Sequence, residues 1–256
     1  MDTFYLGTHR VNWLGRVDVP LFVSRRGLAP RRRLPVATGR WALDSGGFTE
    51  LSLFGGWTIT PAQYAAEIRR FRDEIGGLDF AAPMDHMCEP SILARTGRTV
   101  RQHQTATVEN YLDLAARDVP VMPVLQGWAR EDYLRHVDDY ARAGVDLFAL
   151  PRVGLGTVCR RQRVSEGRAV VEALAGLRLH GFGFKLTGLR AVADLFASAD
   201  SMAWSYNARR NPPRPDCAHR NCTNCLPFAL AWRERVLRAC AAPQQGVLFP
   251  LVKETP

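Results

Sequence analysis

Short apolar runs rich in β-branched and aromatic residues recur along this chain, and amphipathic stretches with helical spacing stand between most of the later ones. The runs are FYLG, PLFVS, WALDS, LDFAAPMD, PVMPVLQG, DLFALP, RLHGFGF and SADSMAW, eight in all. The helical stretches fall at 61–75, 99–117, 130–143, 164–176, 187–197 and 226–240, the first opening on a Thr cap with Pro at its first turn. Strand then helix, repeated, is the pattern of a parallel sheet covered by helices. Eight strands predict a closed (β/α)8 barrel of TIM type. The first two runs have no helical pattern between them, which keeps an open doubly wound sheet as the alternative. With no internal repeat, low-complexity segment or linker, residues 1–256 read as one domain.

A chain of 256 residues with 46% apolar and 23% charged content can bury a full core. No apolar run reaches the roughly 20 residues of a membrane span. The start MDTFYLGTHR lacks the basic and apolar regions of a signal peptide, so the expectation is a cytoplasmic protein without a membrane partner. The formal net charge of +9 is carried almost wholly by arginine, Lys185 and Lys253 being the only lysines. Arginine's planar fork suits phosphate oxygens, although a GC-rich genome produces the same excess. The densest basic run, SRRGLAPRRR at 24–33, reads either as a mobile arm that follows a polyanion backbone or as a solvated loop.

In a barrel, chemistry gathers where the strands end. The ends read here are Asp44 with Ser45, Asp85, Gln126 with Gly127, Gly154 with Gly156, His180 with Gly181, and Asp200 with Ser201. Each carboxylate alone suits a helix cap or an ion pair. Three at strand ends, with glycines that let a ligand approach the backbone, point to a site. His180 also reads as a satisfied strand-end histidine, and Trp204 and Tyr206 as packing rather than base-stacking residues. The GLG at 154–156 lacks the spacing of a dinucleotide fingerprint.

The segment DCAHRNCTNC places Cys217, His219, Cys222 and Cys225 within nine residues. A short loop can turn four such donors onto one tetrahedral ion, so a zinc site is expected, in a subregion spanning 212–240. Four protein ligands leave no open position, which makes the ion structural rather than catalytic. Cys240 is the reserve ligand in place of His219, and Cys88 and Cys159 read as ordinary thiols.

The motifs LDSGGF, PMDHMCEP, PVLQG, VGLG, HGFG and ADSMAWSYNAR, in this order and followed by a cysteine-rich loop, resemble the tRNA-guanine transglycosylase superfamily. Within it, WALDSGGFTEL, VGLGTVCRR and CAHRNCTNC are most similar to the DpdA branch, phage and bacterial enzymes that place 7-deazaguanines in DNA. The resemblance implies a zinc-bearing (β/α)8 barrel. It also implies base exchange, guanine for a 7-deazaguanine of the preQ0 type, through a covalent aspartyl-deoxyribose intermediate. Carried over, Asp200 is the nucleophile and Asp44 the general acid/base. Asp85 reads the purine edge, with Ser45, Gln126, Gly127 and the stretch Gly154, Leu155 and Gly156 completing the base pocket. The partners implied are DNA, or tRNA as the alternative, and the free deazaguanine base. A small-nucleoside enzyme and a non-catalytic nucleic-acid-binding barrel are the remaining alternatives. The chain departs from the tRNA pattern: relatives acting on tRNA are generally longer, and their zinc site is C-x-C-x2-C with a distant histidine. Here His219 stands where the middle cysteine would be, Cys225 is added and no histidine follows.

Overall fold

The structure is a computed structural model that describes residues 1–157, 164–184 and 186–241. Cys159 lies outside the described residues. Eight strands form one all-parallel, curled sheet: β1 (Thr3–Thr8), β2 (Leu21–Ser24), β3 (Trp41–Asp44), β4 (Leu78–Ala81), β5 (Val124–Leu125), β6 (Val153–Leu155), β7 (Leu179–Gly181) and β8 (Ser198–Ser201). Their spatial order is β4-β3-β2-β1-β8-β7-β6-β5, so the first and last strands lie side by side in the middle. β4 and β5, the outer strands, do not pair directly, but β4 touches the segment ahead of β5 through an isolated parallel bridge, Ala81 with Val121. In it the Ala81 N–H donates to the Pro120 carbonyl at 2.7 Å and the Met122 N–H to the Ala81 carbonyl at 3.2 Å.

The early helices are α1 (Arg25–Leu28), α2 (Gly47–Thr49), α3 (Pro61–Ile75), α4 (Pro90–Thr96) and α5 (Val100–Ala115). The later ones are α6 (Arg130–Arg142), α7 (Val164–Ala173), α8 (Leu186–Val192), α9 (Ala203–Arg210) and α10 (Leu226–Ala241). Thr60 and Gln63 form a reciprocal capping box on α3, and Thr99 and Gln102 repeat it on α5. Between β1 and β2 there is only a 3-10 turn at Val11–Trp13, which accounts for the missing helical pattern there.

Strand side chains alternate between faces, and the alternation sorts the core into two clusters. Leu21, Val23, Trp41, Leu43, Leu155 and Leu179 belong to the larger cluster, shared with the helices on the convex side. Tyr5, Phe22, Ala42, Phe80, Met122 and Val124 form a smaller one, with Phe182 packed against it, on the concave side.

The sequence reading needs correction in four places. The run DLFALP is not the sixth strand: the Asp146 carboxylate accepts from the Phe148 N–H at 2.9 Å in a local turn, and Pro151 has no N–H to give a ladder. The strand follows at Val153–Leu155, where the Gly154 N–H donates to the Pro123 carbonyl. The run expected to carry Asp85 ends at Ala81, leaving Asp85 in the loop beyond. The last strand stops at Ser201, and Trp204 begins α9 packing instead, fully buried with its Nε1 donating to the Gly7 carbonyl at 2.8 Å. The helical stretch at 187–197 is shorter, α8 giving way to a 3-10 turn at Ala193–Leu195.

The basic run 24–33 does not begin as a mobile arm. Its first residues form α1, and Arg25 is buried. Arg25 and Arg26 donate to the fully buried Glu50 at 3.3 and 2.7 Å, and Arg25 also pairs with Glu67. The Thr58 N–H and hydroxyl close the remaining Glu50 oxygen at 3.0 and 2.6 Å. Arg31, Arg32 and Arg33 stay exposed, as does Arg26 outside its contact with Glu50. Removing one partner of a buried, fully satisfied ion pair strands the other charges. Glu50→Ala is therefore expected to lower stability by about 3 kcal/mol in urea unfolding, with little change in the slope of the transition.

Candidate active site and metal centre

Two residues beyond Tyr5, Phe22, Ala42, Phe80 and Val124, and at the matching positions after β6, β7 and on β8, the next inward-facing position reaches the C-terminal rim of the sheet. From β1 to β4 these positions are Gly7, Ser24, Asp44 and Ala82; from β5 to β8 they are Gln126, Gly156, Phe182 and Asp200. Together with loop residues including Ser45, Asp85, Glu89 and Thr157 they enclose a cavity of about 380 Å³. Asp44, Asp85 and Asp200, three carboxylates far apart in sequence, thus line one space. Gln126, Gly156 and Ser45 join them, as the strand ends suggest.

Three expected base-pocket residues do not line the cavity. Leu155 points to the convex side and is fully buried in the larger cluster. Gly127 lies behind Gln126, where an added Cβ would meet Asp132 at 2.7 Å. Gly154 sits one layer down, with Phe182 and Val124 filling the space a side chain would need.

Burial shapes the protonation of this site. Asp85 is 5% exposed, and desolvation pushes its carboxyl up to about 7. A hydrogen bond from Gln126 Nε2 at 2.6 Å works against that rise, while the charges of Asp44 and Glu89 add to it. Asp44 is also raised, first by burial and then by the charge of Asp200. The Gly46 N–H, 3.0 Å from Oδ1, and the Ser24 hydroxyl oppose the rise. Asp200 accepts the Gly183 N–H at 3.0 Å, and its Oδ1 lies 3.6 Å from Nε2 of the fully buried His180.

Thr157, Glu89 and Ser24 are site residues that motif reading misses. The Thr157 hydroxyl donates to Gln126 Oε1 at 2.6 Å, which turns the amide so that its NH2 faces Asp85. The same oxygen accepts the Cys88 N–H at 3.0 Å. Thr157 holds this place with φ of +60°, a conformation that costs a β-branched residue roughly 1–2 kcal/mol. Strand parity was the available signal for Ser24; Thr157 and Glu89 left none. Cys88 is an inert buried thiol, its pKa raised by desolvation.

The second cluster is confirmed in space. Ligand atoms of Cys217, His219, Cys222 and Cys225 all lie within 4.8 Å of one another. The Cys217 and Cys225 sulfurs are 3.6 Å apart and His219 Nε2 is 3.2 Å from the Cys222 sulfur. A tetrahedral ion with metal–sulfur bonds of about 2.3 Å separates its sulfurs by about 3.8 Å, so the donors fit a metal ion such as zinc. Cys240, on α10, is not in the cluster. The loop abuts the site: Asn224 pairs with His9, which lines the cavity, and the Ser205 hydroxyl donates to the Thr223 carbonyl at 3.2 Å.

A family model described as DpdA, deoxypurine in DNA protein A, matches residues 1–250. The chain belongs to the DpdA family. Membership supports a role in deazapurine modification of DNA, with DNA as the substrate and a transglycosylase-type enzyme as the agent. No curated protein matches the chain. Among solved structures, oxaloacetate acetylhydrolase with the product oxalate is similar at 13% identity and a TM-score of 0.49, over 93% of this chain and 89% of that one. A 2,3-dimethylmalate lyase of the PEP mutase/isocitrate lyase superfamily is similar at 11% identity and a TM-score of 0.45, over 94% of each chain. Among the described residues no helix is long and apolar enough to cross a membrane.

The raised Asp85 carboxyl has a stability consequence for this DpdA-family chain. A folded-state pKa of about 7 against an unfolded value of about 4 means that the folded protein binds the proton more tightly. Stability contributed by that proton is present at low pH and lost as pH rises toward 7. Asp85→Asn keeps an acceptor for Gln126 without the charge. It is expected to be more stable than wild type at pH 8, by at most about 4 kcal/mol, and nearly equal at pH 4. Thermal unfolding across that range measures the difference.

Proposed function

We propose that this protein exchanges guanine in DNA for a 7-deazaguanine base of the preQ0 type through a covalent aspartyl-deoxyribose intermediate, as a pentosyltransferase. The observation that carries the reading is the convergence of Asp44, Asp85 and Asp200 on one cavity. Family membership favours DNA over tRNA. The working unit is a single domain, 1–256, built as a (β/α)8 barrel whose last gap closes at the Ala81–Val121 bridge, and acting in the cytoplasm of a bacterial cell or phage-infected host.

Asp200 attacks C1′ of the target deoxyribose; the glycosidic bond breaks and its electron pair leaves with guanine, which takes a proton from Asp44. The incoming base then loses its N9 proton to Asp44 and attacks C1′, the ester breaks, and Asp200 leaves as a carboxylate. Two displacements keep the anomeric configuration. Burial raises the pKa of Asp44, the direction that suits a group giving up a proton and taking it back. Asp85 in its ionised form accepts from N1–H and the exocyclic amine of a guanine-type base, a donor pair adenine lacks. Gln126 and the Gly156 backbone flank it.

A base inside a duplex cannot reach such a cavity, so the target must be flipped or single-stranded. The helical segments that follow β2, β3 and β8 carry aromatic and cationic groups that would meet the strand: Arg26 lies 5.7 Å over the Phe54 ring and Arg210 4.1 Å over that of Tyr206, a residue 56% exposed rather than packed as its sequence context suggests.

Wild type incubated with guanine-containing DNA, with no incoming base, is expected to give a denaturation-resistant protein–DNA adduct. Asp200→Asn should give none. An adduct that survives Asp200→Asn but not Asp44→Asn would exchange the two roles.

Zinc held by Cys217, His219, Cys222 and Cys225 would be structural, tying the loop that carries Asn224 to the cavity rim. Purified protein should contain about one zinc per chain, and Cys222→Ser should lose it together with thermal stability. Metal-free protein of unchanged stability would end this assignment.

A further inference from the structure

His180 is an ionisable side chain of the concave layer below the cavity that the chemistry above does not use. It is fully buried on β7, ringed edge-on by Tyr5, Phe80 and Phe182 and tilted against Phe22. Burial on this scale is costly for a polar ring unless both nitrogens are engaged. Its Nδ1 lies 2.9 Å from the Ser198 hydroxyl. Its Nε2 has no partner within hydrogen-bonding distance, and Asp200 Oδ1 is 3.6 Å away.

The proton's position follows from what Ser198 can do. Ser198 Oγ accepts the Nε–H of Arg152 at 3.2 Å, and a guanidinium only donates. The single hydroxyl proton is then free to go to His180 Nδ1, which becomes an acceptor. In the neutral ring the remaining proton sits on Nε2, facing Asp200. Arg152 is itself anchored, 3.8 Å from Asp79 and 4.2 Å over the Phe80 ring.

We propose that His180 is a positioning residue for Asp200. The chain Arg152 to Ser198 to His180 holds the imidazole with its proton on Nε2, and that N–H faces Oδ1 from 3.6 Å while the Gly183 N–H bonds it at 3.0 Å, leaving Oδ2 to meet C1′. The inference rests on the reading of Asp200 as nucleophile. It adds a donor that strengthens as negative charge returns to the carboxylate, when the ester breaks in the second displacement.

The charged and titratable groups around this pair are few. Asp200 on β8 faces His180 on β7 and is felt by Asp44 on β3; His180 faces Arg152 and, beyond it, Asp79, with the Tyr5 hydroxyl bonded to Asp79. Burial lowers the imidazole's pKa, with Asp200 opposing, so the ring acts as a neutral donor near pH 7.

The test is nuclear magnetic resonance on the full-length protein without DNA. Nitrogen-15 spectra of the imidazoles, with His180 assigned by His180→Gln, are expected to show its proton on Nε2. Carbon-13 titration of the aspartate carboxyls, with Asp200 assigned by Asp200→Asn, should show Asp200 rising by about one unit in His180→Phe, which keeps the ring volume but not the donor. His180→Gln, which restores an N–H near the Nε2 position, should bring it back, and Ser198→Ala should reproduce part of the rise. In single-turnover exchange, release of the preformed adduct by an incoming base is expected to be about tenfold slower in His180→Phe, in line with that shift. An unchanged Asp200 titration in both His180→Phe and Ser198→Ala, or a proton found on Nδ1, would overturn the proposal. Should His180→Phe fail to fold, Ser198→Ala and the wild-type nitrogen spectrum still decide it. A wild type that shows the predicted tautomer and titration but forms no adduct would reject the transglycosylase reading and leave the His180–Asp200 contact standing.

Discussion

The ladder between neighbouring parallel strands governs everything else in this molecule. Because side chains alternate along each strand, the register between β2 and β3, Ser24 opposite Asp44, and between β6 and β7, Gly154 opposite His180, decides which residues share a level on the concave face. One level holds Tyr5, Phe22 and Phe80 and is packed solid. The next holds Asp44, Gln126 and Asp200 and opens into the cavity. A one-residue slip in any strand would send its polar residue into the convex core, among Leu43, Leu155 and their neighbours.

The cavity is expensive to build. Two of its carboxylates have raised pKa values because burial disfavours their charge, and Thr157 holds a left-handed backbone to aim one amide. The aromatic floor beneath supplies the low dielectric that makes these groups costly, and the same dryness makes a hydrogen bond or a charge strong once a ligand arrives. Glu50 tells the opposite story. Its burial too favours the proton, yet the Thr58 bonds and the charges of Arg25 and Arg26 outweigh that and lower its pKa, as befits an ion pair that serves the fold.

The metal cluster belongs to the same design. Cys222 and Cys225 are buried just ahead of α10, and Asn224 between the two cysteines reaches His9, the residue after β1. A loop with four ligand atoms and little apolar surface has few other ways to hold a fixed shape, so the donor set and the rim geometry are linked through covalent neighbours.

Much of this was legible in the residues alone. Alternating elements, the order of the eight strands along the chain, the three carboxylates near strand ends, and the Cys/His spacing are local properties that periodicity and ligand chemistry expose. The sixth strand was not, since Asp146 and Pro151 divert an apolar run into a turn and the ladder forms on Val153–Leu155 instead. Nor could local pattern tell that Gly127 and Leu155 face away from the cavity, that Arg25 leaves the basic run for a buried ion pair, or that Asp85 enters from a loop. Those outcomes depend on register between strands distant in sequence and on which face the curled sheet turns inward. Only tertiary structure brings Ser198, His180 and Asp200 into one line, because β7 and β8 meet side by side and each contributes inward residues at matching heights.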